Sequence, residues 1–232
     1  CRKSNLARLS RTVDKKHFRI GRGNVLHIAP SNVPVNFAFS LAFGLLSGNH
    51  NIVRVSEADH PQISVICKEI KCLLDEKTYE RVAAMIRVIR YPRNDEITAD
   101  LSSCCHARVL WGGDDTIANL RKMPTLPRCV DVCFADRYSL CLINAHAINT
   151  ADASALDALV AGFYNDVFLL DQNACSSPHL VLWQGKKKEI LGAMDRFWSA
   201  MNLYIESKPA SPAIFAIDKF AHLCYTAIQL ED

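Results

Sequence analysis

Between residues 24 and 145, short β-branched apolar runs alternate with longer stretches whose apolar positions recur three and four apart. This is the pattern of strands and helices laid down in alternating layers. Val25 to Ala29 reads as a buried strand, Phe37 to Leu46 as a helix stopped by Gly48, and Asn51 to Val55 as a second strand. From Pro61 to Leu74 the positions Ile63, Ile66, Ile70 and Leu73 mark one helix face, and Met85 to Ile89 returns to strand character. Val109 to Trp111, followed by Gly112 and Gly113, predicts a strand and turn leading into a helix from about Asp115. Repeated strand and helix alternation of this kind predicts an α/β fold built on a doubly wound parallel sheet.

After Tyr138 the rhythm changes. Strand candidates Leu140 to Ile143 and Leu180 to Trp183 bracket a helix, Ala153 to Tyr164, and a polar loop, Asp171 to Pro178, and beyond Lys186 the pattern is mostly helical. The expected domains are therefore residues 1–140 and 141–232, with no low-complexity linker and no internal repeat. The chain begins on Cys1 rather than Met and ends on a helical-looking stretch at Asp232, so a fragment of a longer chain is expected, its second domain incomplete.

Composition narrows the class. Half of the 232 residues are apolar and 22% charged, which excludes disorder for the bulk of the chain. The 27 Lys and Arg against 24 Asp and Glu leave a formal charge of +3, too balanced for a nucleic-acid or membrane-surface footprint. The longest apolar stretch, Phe37 to Leu46, is interrupted by Ser40 and Gly44 and is too short to span a bilayer, and the basic start carries no signal-length apolar run. The ten cysteines show no secreted-domain spacing. A soluble cytoplasmic protein with reduced thiols is expected.

Gly21 and Gly23 precede the first strand, and Leu26 stands where a third glycine of a dinucleotide fingerprint belongs, so they read as a flexible turn. Pro30 and Pro34 pin the corner after that strand, and Asn32 between them either closes an Asx turn or aims an amide at a developing oxyanion. In the polar loop DQNACSSP, Cys175 is a candidate nucleophile, because reactive thiols need access and nearby donors. Cys67, Cys72, Cys141 and Cys224 lie in apolar patterns and read as core thiols. Cys104, Cys105 and His106, with Cys129 and Cys133 nearby, lack Cys-x-x-Cys spacing, so no metal site is predicted. Lys186, Lys187 and Lys188 read as a solvated helix start.

PSNVP, GLLSGN, VRVSE, WGGDDT and QNACSSP follow one another in the order and approximate spacing of the aldehyde dehydrogenase superfamily. There a Pro-x-Asn-x-Pro turn, a Gly-Asn, a Lys-Pro-Ser-Glu strand end, a Gly-Ser-Thr turn and a Gly-Gln-x-Cys loop succeed one another. SNVPV and QNACSSP most resemble the acyl-CoA reductase branch, the LuxC family, over about residues 24 to 185. The resemblance implies an NAD(P)-binding Rossmann-like domain followed by part of a catalytic domain. It implies Cys175 as nucleophile, Asn32 as oxyanion-hole amide, and Arg54, Ser56, Glu57, Gly112, Gly113 and Thr116 as cofactor contacts.

One departure matters. A hydrolytic aldehyde dehydrogenase needs a glutamate to activate water, and the comparable segment, VCFADRYS, puts Cys133 at that position when Arg137 is matched to the family lysine. Thioester reduction needs no such water. The expected activity is therefore NAD(P)H-dependent reduction of an acyl thioester, acyl-CoA or another activated acyl donor, to the aldehyde. The alternatives are an acyl-phosphate reductase resembling glutamyl phosphate reductase and a non-catalytic fragment of the same fold. NADPH is the expected cofactor, with NADH as the competitor, because the Arg54 guanidinium suits a 2′-phosphate whereas Glu57 suits a free ribose. A homo-oligomer when full length and an acyl-transferring partner enzyme complete the expectations.

Overall fold

A computed structural model describes residues 3–12, 16, 19–58, 60–168, 172, 174–208 and 213–230. The chain divides into two compact units, Cys1–Ala135 and Asp136–Asp232. The division falls a few residues ahead of the expected 140/141, because the strand opening the second unit starts at Ser139.

Unit 1 carries, in order, α1 (Lys3–Thr12), β1 (Asn24–Ile28), α2 (Asn36–Leu46), β2 (His50–Arg54), α3 (Pro61–Leu74), a 3-10 turn (Lys77–Tyr79) with the short α4 (Glu80–Ala83), β3 (Ile86–Ile89), α5 (Asp95–Ser103), β4 (Ala107–Trp111), α6 (Asp114–Arg121) and β5 (Val130–Phe134). The strands form one sheet in the order β3-β2-β1-β4-β5, every neighbouring pair parallel. That is the doubly wound arrangement the alternating pattern predicts. Beyond the elements expected from the apolar pattern, unit 1 carries α1, α4, α5 and β5.

Two apolar layers cover the sheet. Val53, Val55, Ile86 and Ala29 pack with Phe37 and Leu41 of α2 and Ile63 of α3, while Leu26, Ile28 and Leu110 pack with Ile117 and Leu120 of α6. Burial on both faces explains why these strands read as continuous apolar runs. Pro61 opens α3 at its first turn, where its missing N–H costs nothing, and Asn94 caps α5 by accepting from Ile97 N at 3.0 Å. Gly48 ends α2 with φ 76°, its N–H meeting Leu45 O at 2.8 Å. Gly21 is no flexible turn: a Cβ there would lie 2.0 Å from Gly48 O, so two backbone segments close against each other where only glycine fits. Arg108, 2% exposed, reaches across from β4 to Asp131 of β5 with two bonds of 2.8 and 2.7 Å.

Unit 2 contains β6 (Ser139–Asn144), α7 (Ala145–Thr150), α8 (Ala153–Val167), β7 (Pro178–Gln184), α9 (Lys187–Glu206) and α10 (Ala213–Leu230). β6 and β7 pair in parallel as a two-stranded sheet. Ile143 and Trp183 face a core of Ile148, Val160, Phe197 and Met201, while Leu140, Leu142, Leu180 and Leu182 on the other face are exposed. The expected basic run is a helix start, with Lys186 at the N-cap of α9.

Candidate functional site

Five parallel strands bring the residues that follow them to one edge of unit 1, and the strand order reverses between β1 and β4. In such sheets the crevice outside the carboxyl ends at the reversal is where ligands bind. Asn32 sits exposed in the loop from β1 to α2. Arg54 ends β2, half-buried, and donates from Nη2 to Tyr91 O at 3.3 Å, with its guanidinium carbon 5.4 Å from the centre of the Tyr91 ring. Ser56 is buried and its Oγ accepts from Ala58 N at 3.2 Å, fixing the turn on which Glu57 is exposed. Among the described residues Glu57 makes no ion pair with Arg54.

After β4, Gly112 donates its N–H to Phe134 O at 3.3 Å and Gly113 is the N-cap of α6, its carbonyl accepting from Ile117 N at 3.0 Å. Thr116 packs against Gly112 so closely that a Cβ on the glycine would lie 3.1 Å from the threonine methyl. Two carboxylates, Asp114 and Asp115, occupy the first turn of α6. They suit the positive end of the helix, and they also compete with any phosphate brought to it.

Beneath this edge runs a buried polar chain. Trp111 Nε1 donates to Ser40 Oγ at 3.3 Å, Ser40 Oγ meets His27 Nδ1 at 2.7 Å, and His27 Nε2 meets Asn51 Oδ1 at 3.0 Å. Asn51 Nδ2 donates to Asn49 O at 2.7 Å, which fixes the amide with Oδ1 towards the imidazole. Nε2 therefore carries the proton and Nδ1 accepts from the Ser40 hydroxyl. Burial lowers the His27 pKa from its ordinary value, with the Asn51 hydrogen bond opposing. Trp111 also stacks on Phe134, ring centres 3.8 Å apart.

In unit 2, Cys175 is exposed in the turn between α8 and β7. Ser139 Oγ donates to Cys175 O at 2.7 Å, Ser177 N donates to Ala174 O at 2.9 Å, and Ser177 Oγ donates to Asp166 O at 2.5 Å, so the turn is tied both to the start of β6 and to α8. Asp171 and Asn173 of the predicted loop lie outside the described residues. Gln172 stands three residues before the cysteine, where the Gly-Gln-x-Cys pattern has glycine, and holds φ 60°, the left-handed region that disfavours a side chain. Its N–H closes onto Val167 O at 2.7 Å at the end of α8. A cavity of about 350 Å³ in the same unit is lined by Ile143, Ala147, Leu159, Gly162 and Phe163 with Cys141, whose thiol burial pushes up.

Unit 1 thus gathers Asn32, Arg54, Ser56, Glu57, Gly112, Gly113 and Thr116 along one sheet edge, and Cys175 belongs to unit 2. The expected core thiols need correction. Cys72 and Cys224 are exposed, Cys72 on the outward side of α3 and Cys224 on a helix exposed along most of its described length, and among the described residues the fully buried thiol is Cys105, pushed up to about 12 chiefly by desolvation. Cys133, at the position matched to a general base, is exposed on β5. Among the described residues no group of three His, Cys, Asp or Glu side chains is placed to hold a metal ion, and no helix is long and apolar enough to cross a membrane.

The family model described as acyl-CoA reductase (LuxC) matches residues 2–215. The chain is 28% identical over 197 residues to a long-chain acyl-protein thioester reductase of Vibrio harveyi, covering 84% of this chain and 38% of that protein. It therefore spans less than two-fifths of the length of the curated relatives it matches. Among solved structures it is similar to an NAD-dependent benzaldehyde dehydrogenase from Corynebacterium glutamicum, with a TM-score of 0.58 at 18% identity over 84% of this chain and 39% of that one. It is also similar to lactaldehyde dehydrogenase from Escherichia coli, TM-score 0.58 at 15% identity over 82% of this chain and 36% of that one. At those identities the likeness establishes the fold, which is that of the aldehyde dehydrogenases.

Proposed function

Since the chain belongs to the acyl-CoA reductase (LuxC) family, we propose that it is part of an oxidoreductase that reduces an activated acyl thioester to the aldehyde through an acyl-enzyme on Cys175, with NADPH as reductant. The observation that carries the reading is the exposed Cys175 turn, anchored through Ser139 and Ser177, at the position of the family's cysteine loop.

A nicotinamide cofactor, which the fold implies, fits the carboxyl edge of unit 1. A strand reversal is where such sheets bind ligands, Arg54 brings a cation to that edge, and Gly112 and Gly113 let the backbone come close. Arg54, Ser56 and Glu57 would hold the adenosine end, and Gly112, Gly113 and Thr116 the remainder. When bound, the cofactor supplies the hydride.

The chain's own residues do the rest. The Cys175 thiolate attacks the thioester carbonyl, its Sγ–C bond forms, the bond to the donor sulfur breaks, and the donor leaves as a thiol after taking up a proton. The backbone N–H of Cys175 is a donor for the developing oxyanion, and Asn32 is the amide that the family resemblance implies for the same role. Collapse to the aldehyde returns Cys175 as thiolate. Cys133 offers no carboxylate to activate water, which favours reduction over hydrolysis to the acid.

Incubating the full-length protein with acyl-CoA, with an acyl-protein thioester or with an acyl phosphate, in the absence of reduced cofactor, separates the donors. We expect a thioester to leave its acyl group on Cys175, read by mass spectrometry, and Cys175→Ser to abolish both that adduct and aldehyde formation. An active enzyme whose Cys175 stays unmodified refutes the proposal, and modification by the acyl phosphate alone transfers it to that substrate class.

A further inference from the structure

The turn after β3 carries a side chain that no motif singles out. β2 and β3 are in register with Arg54 opposite Ile89, so the chain leaving β3 passes directly beside Arg54. Tyr91 meets Arg54 twice there, through its backbone carbonyl at 3.3 Å and through its ring, over which the guanidinium lies 5.4 Å from the centre. Tyr91 is itself immobilised. Thr98 Oγ1 gives its single proton to Asn94 O at 2.7 Å, so the contact of 3.0 Å between Tyr91 Oη and Thr98 Oγ1 has the tyrosine as donor. Asn94 is the residue that caps α5, so the anchor is the start of a helix. Pro92 restricts Tyr91 from the other side, because the residue before a proline is confined to extended backbone.

A free arginine has many rotamers and spends most of them pointing elsewhere. Here one face of the guanidinium is laid on an aromatic ring and one of its five N–H groups is taken by a carbonyl, which leaves the rest of the fork in a fixed orientation at the sheet edge. We infer that Tyr91 is a positioning residue for cofactor choice, holding the Arg54 guanidinium in the orientation that meets a 2′-phosphate and so setting the preference for NADPH over NADH. The inference rests on the reading above that Arg54 meets the adenosine end of the cofactor.

The test is the ratio of dissociation constants for NADPH and NADH, from fluorescence titration of the reduced nucleotides with the full-length protein. Arg54→Ala should reduce the preference for NADPH by about tenfold or more, the scale of one charge-assisted contact. Tyr91→Ala should reduce it by about three- to tenfold, Tyr91→Phe, which keeps the ring, should retain most of it, and adding Tyr91→Ala to Arg54→Ala should change nothing further. Tyr91→Leu fills the space without a π face, is expected to behave as Tyr91→Ala, and serves if the alanine variant does not fold. A Tyr91→Ala or Tyr91→Leu protein that keeps its preference, or loses affinity for both nucleotides equally, while Arg54→Ala loses the preference, overturns the inference. An Arg54→Ala protein with an unchanged preference refutes instead the assignment of Arg54, and the role of Tyr91 falls with it.

Discussion

The two units spend their apolar residues differently. In unit 1 the central strand β1 has neighbours on both edges and helices over both faces, and Leu26 and Leu110 are fully buried. In unit 2 a pair of strands has helices on one face only, and the register that sets Leu140 opposite Leu180 and Leu142 opposite Leu182 lays four exposed leucines on the other. The sheet of the first unit is packed on both faces, whereas that of the second packs one face and leaves these leucines exposed on the other. A rigid sheet edge is what gathering seven residues at the ends of three strands requires, whereas the cysteine turn in unit 2 is held locally, by Ser139 and Ser177.

This contrast can be broken most directly by truncating a leucine in each sheet. Leu110→Ala should cost about 2–5 kcal/mol of unfolding free energy, whereas Leu182→Ala, at a site 42% exposed, should cost less than about 0.5 kcal/mol. Urea denaturation reads both, and equal losses would mean that Leu182 is covered in the protein in solution. Next in size is Asn32→Ala, which should raise the barrier to turnover by about 2.7–4 kcal/mol while leaving cofactor affinity intact, measured by aldehyde formation and nucleotide titration. Near-normal turnover would return Asn32 to closing its turn.

Titration sharpens the comparison further. His27 has its folded-state pKa lowered from 6.5, whereas the unit 2 histidines His146, His179 and His222 are exposed. Below pH 6.5 the unfolded chain binds a proton that the folded unit resists, so the stabilisation of unit 1 present above that pH should fade as pH drops through the folded-state value. Denaturation midpoints between about pH 8 and pH 5 should show this, and His27→Gln should flatten the slope. The smallest effect is at Gln172. Gln172→Gly should raise the melting temperature, by the equivalent of about 0.5–1 kcal/mol, because the left-handed backbone then carries no Cβ. A fall would show that the Gln172 side chain, whose Nε2 donates to Pro178 O at 3.4 Å, outweighs the strain.

The inner strands β1, β2 and β4 of unit 1 are legible because burial on both faces favours apolar residues, the edge strand β3 because Ile86, Val88 and Ile89 are β-branched, and Pro61 and Gly48 mark helix ends by backbone chemistry alone. β5 escapes because its Asp131 serves the buried Arg108, so its pattern is mixed, and a pairing across 23 residues leaves no local mark. α5 did leave a signal in Asn94, Asp95 and Glu96, a cap with an acidic first turn, which the argument from apolar spacing passes over. The cysteine and asparagine stand out through motif order. Tyr91 does not, since its contact with Arg54 exists only once β2 and β3 lie side by side.

The stacking of Trp111 on Phe134 has an optical consequence. Of the three tryptophans, Trp111 alone belongs to unit 1, and Trp183 and Trp198 both belong to unit 2. With the latter two replaced by phenylalanine, tryptophan emission comes from a single indole next to Gly112, its N–H bonded to Ser40 and its ring stacked on Phe134. Trp111 is therefore an intrinsic fluorescent probe of that strand end, and its emission on adding a reduced nucleotide tests whether the proposed cofactor edge is occupied.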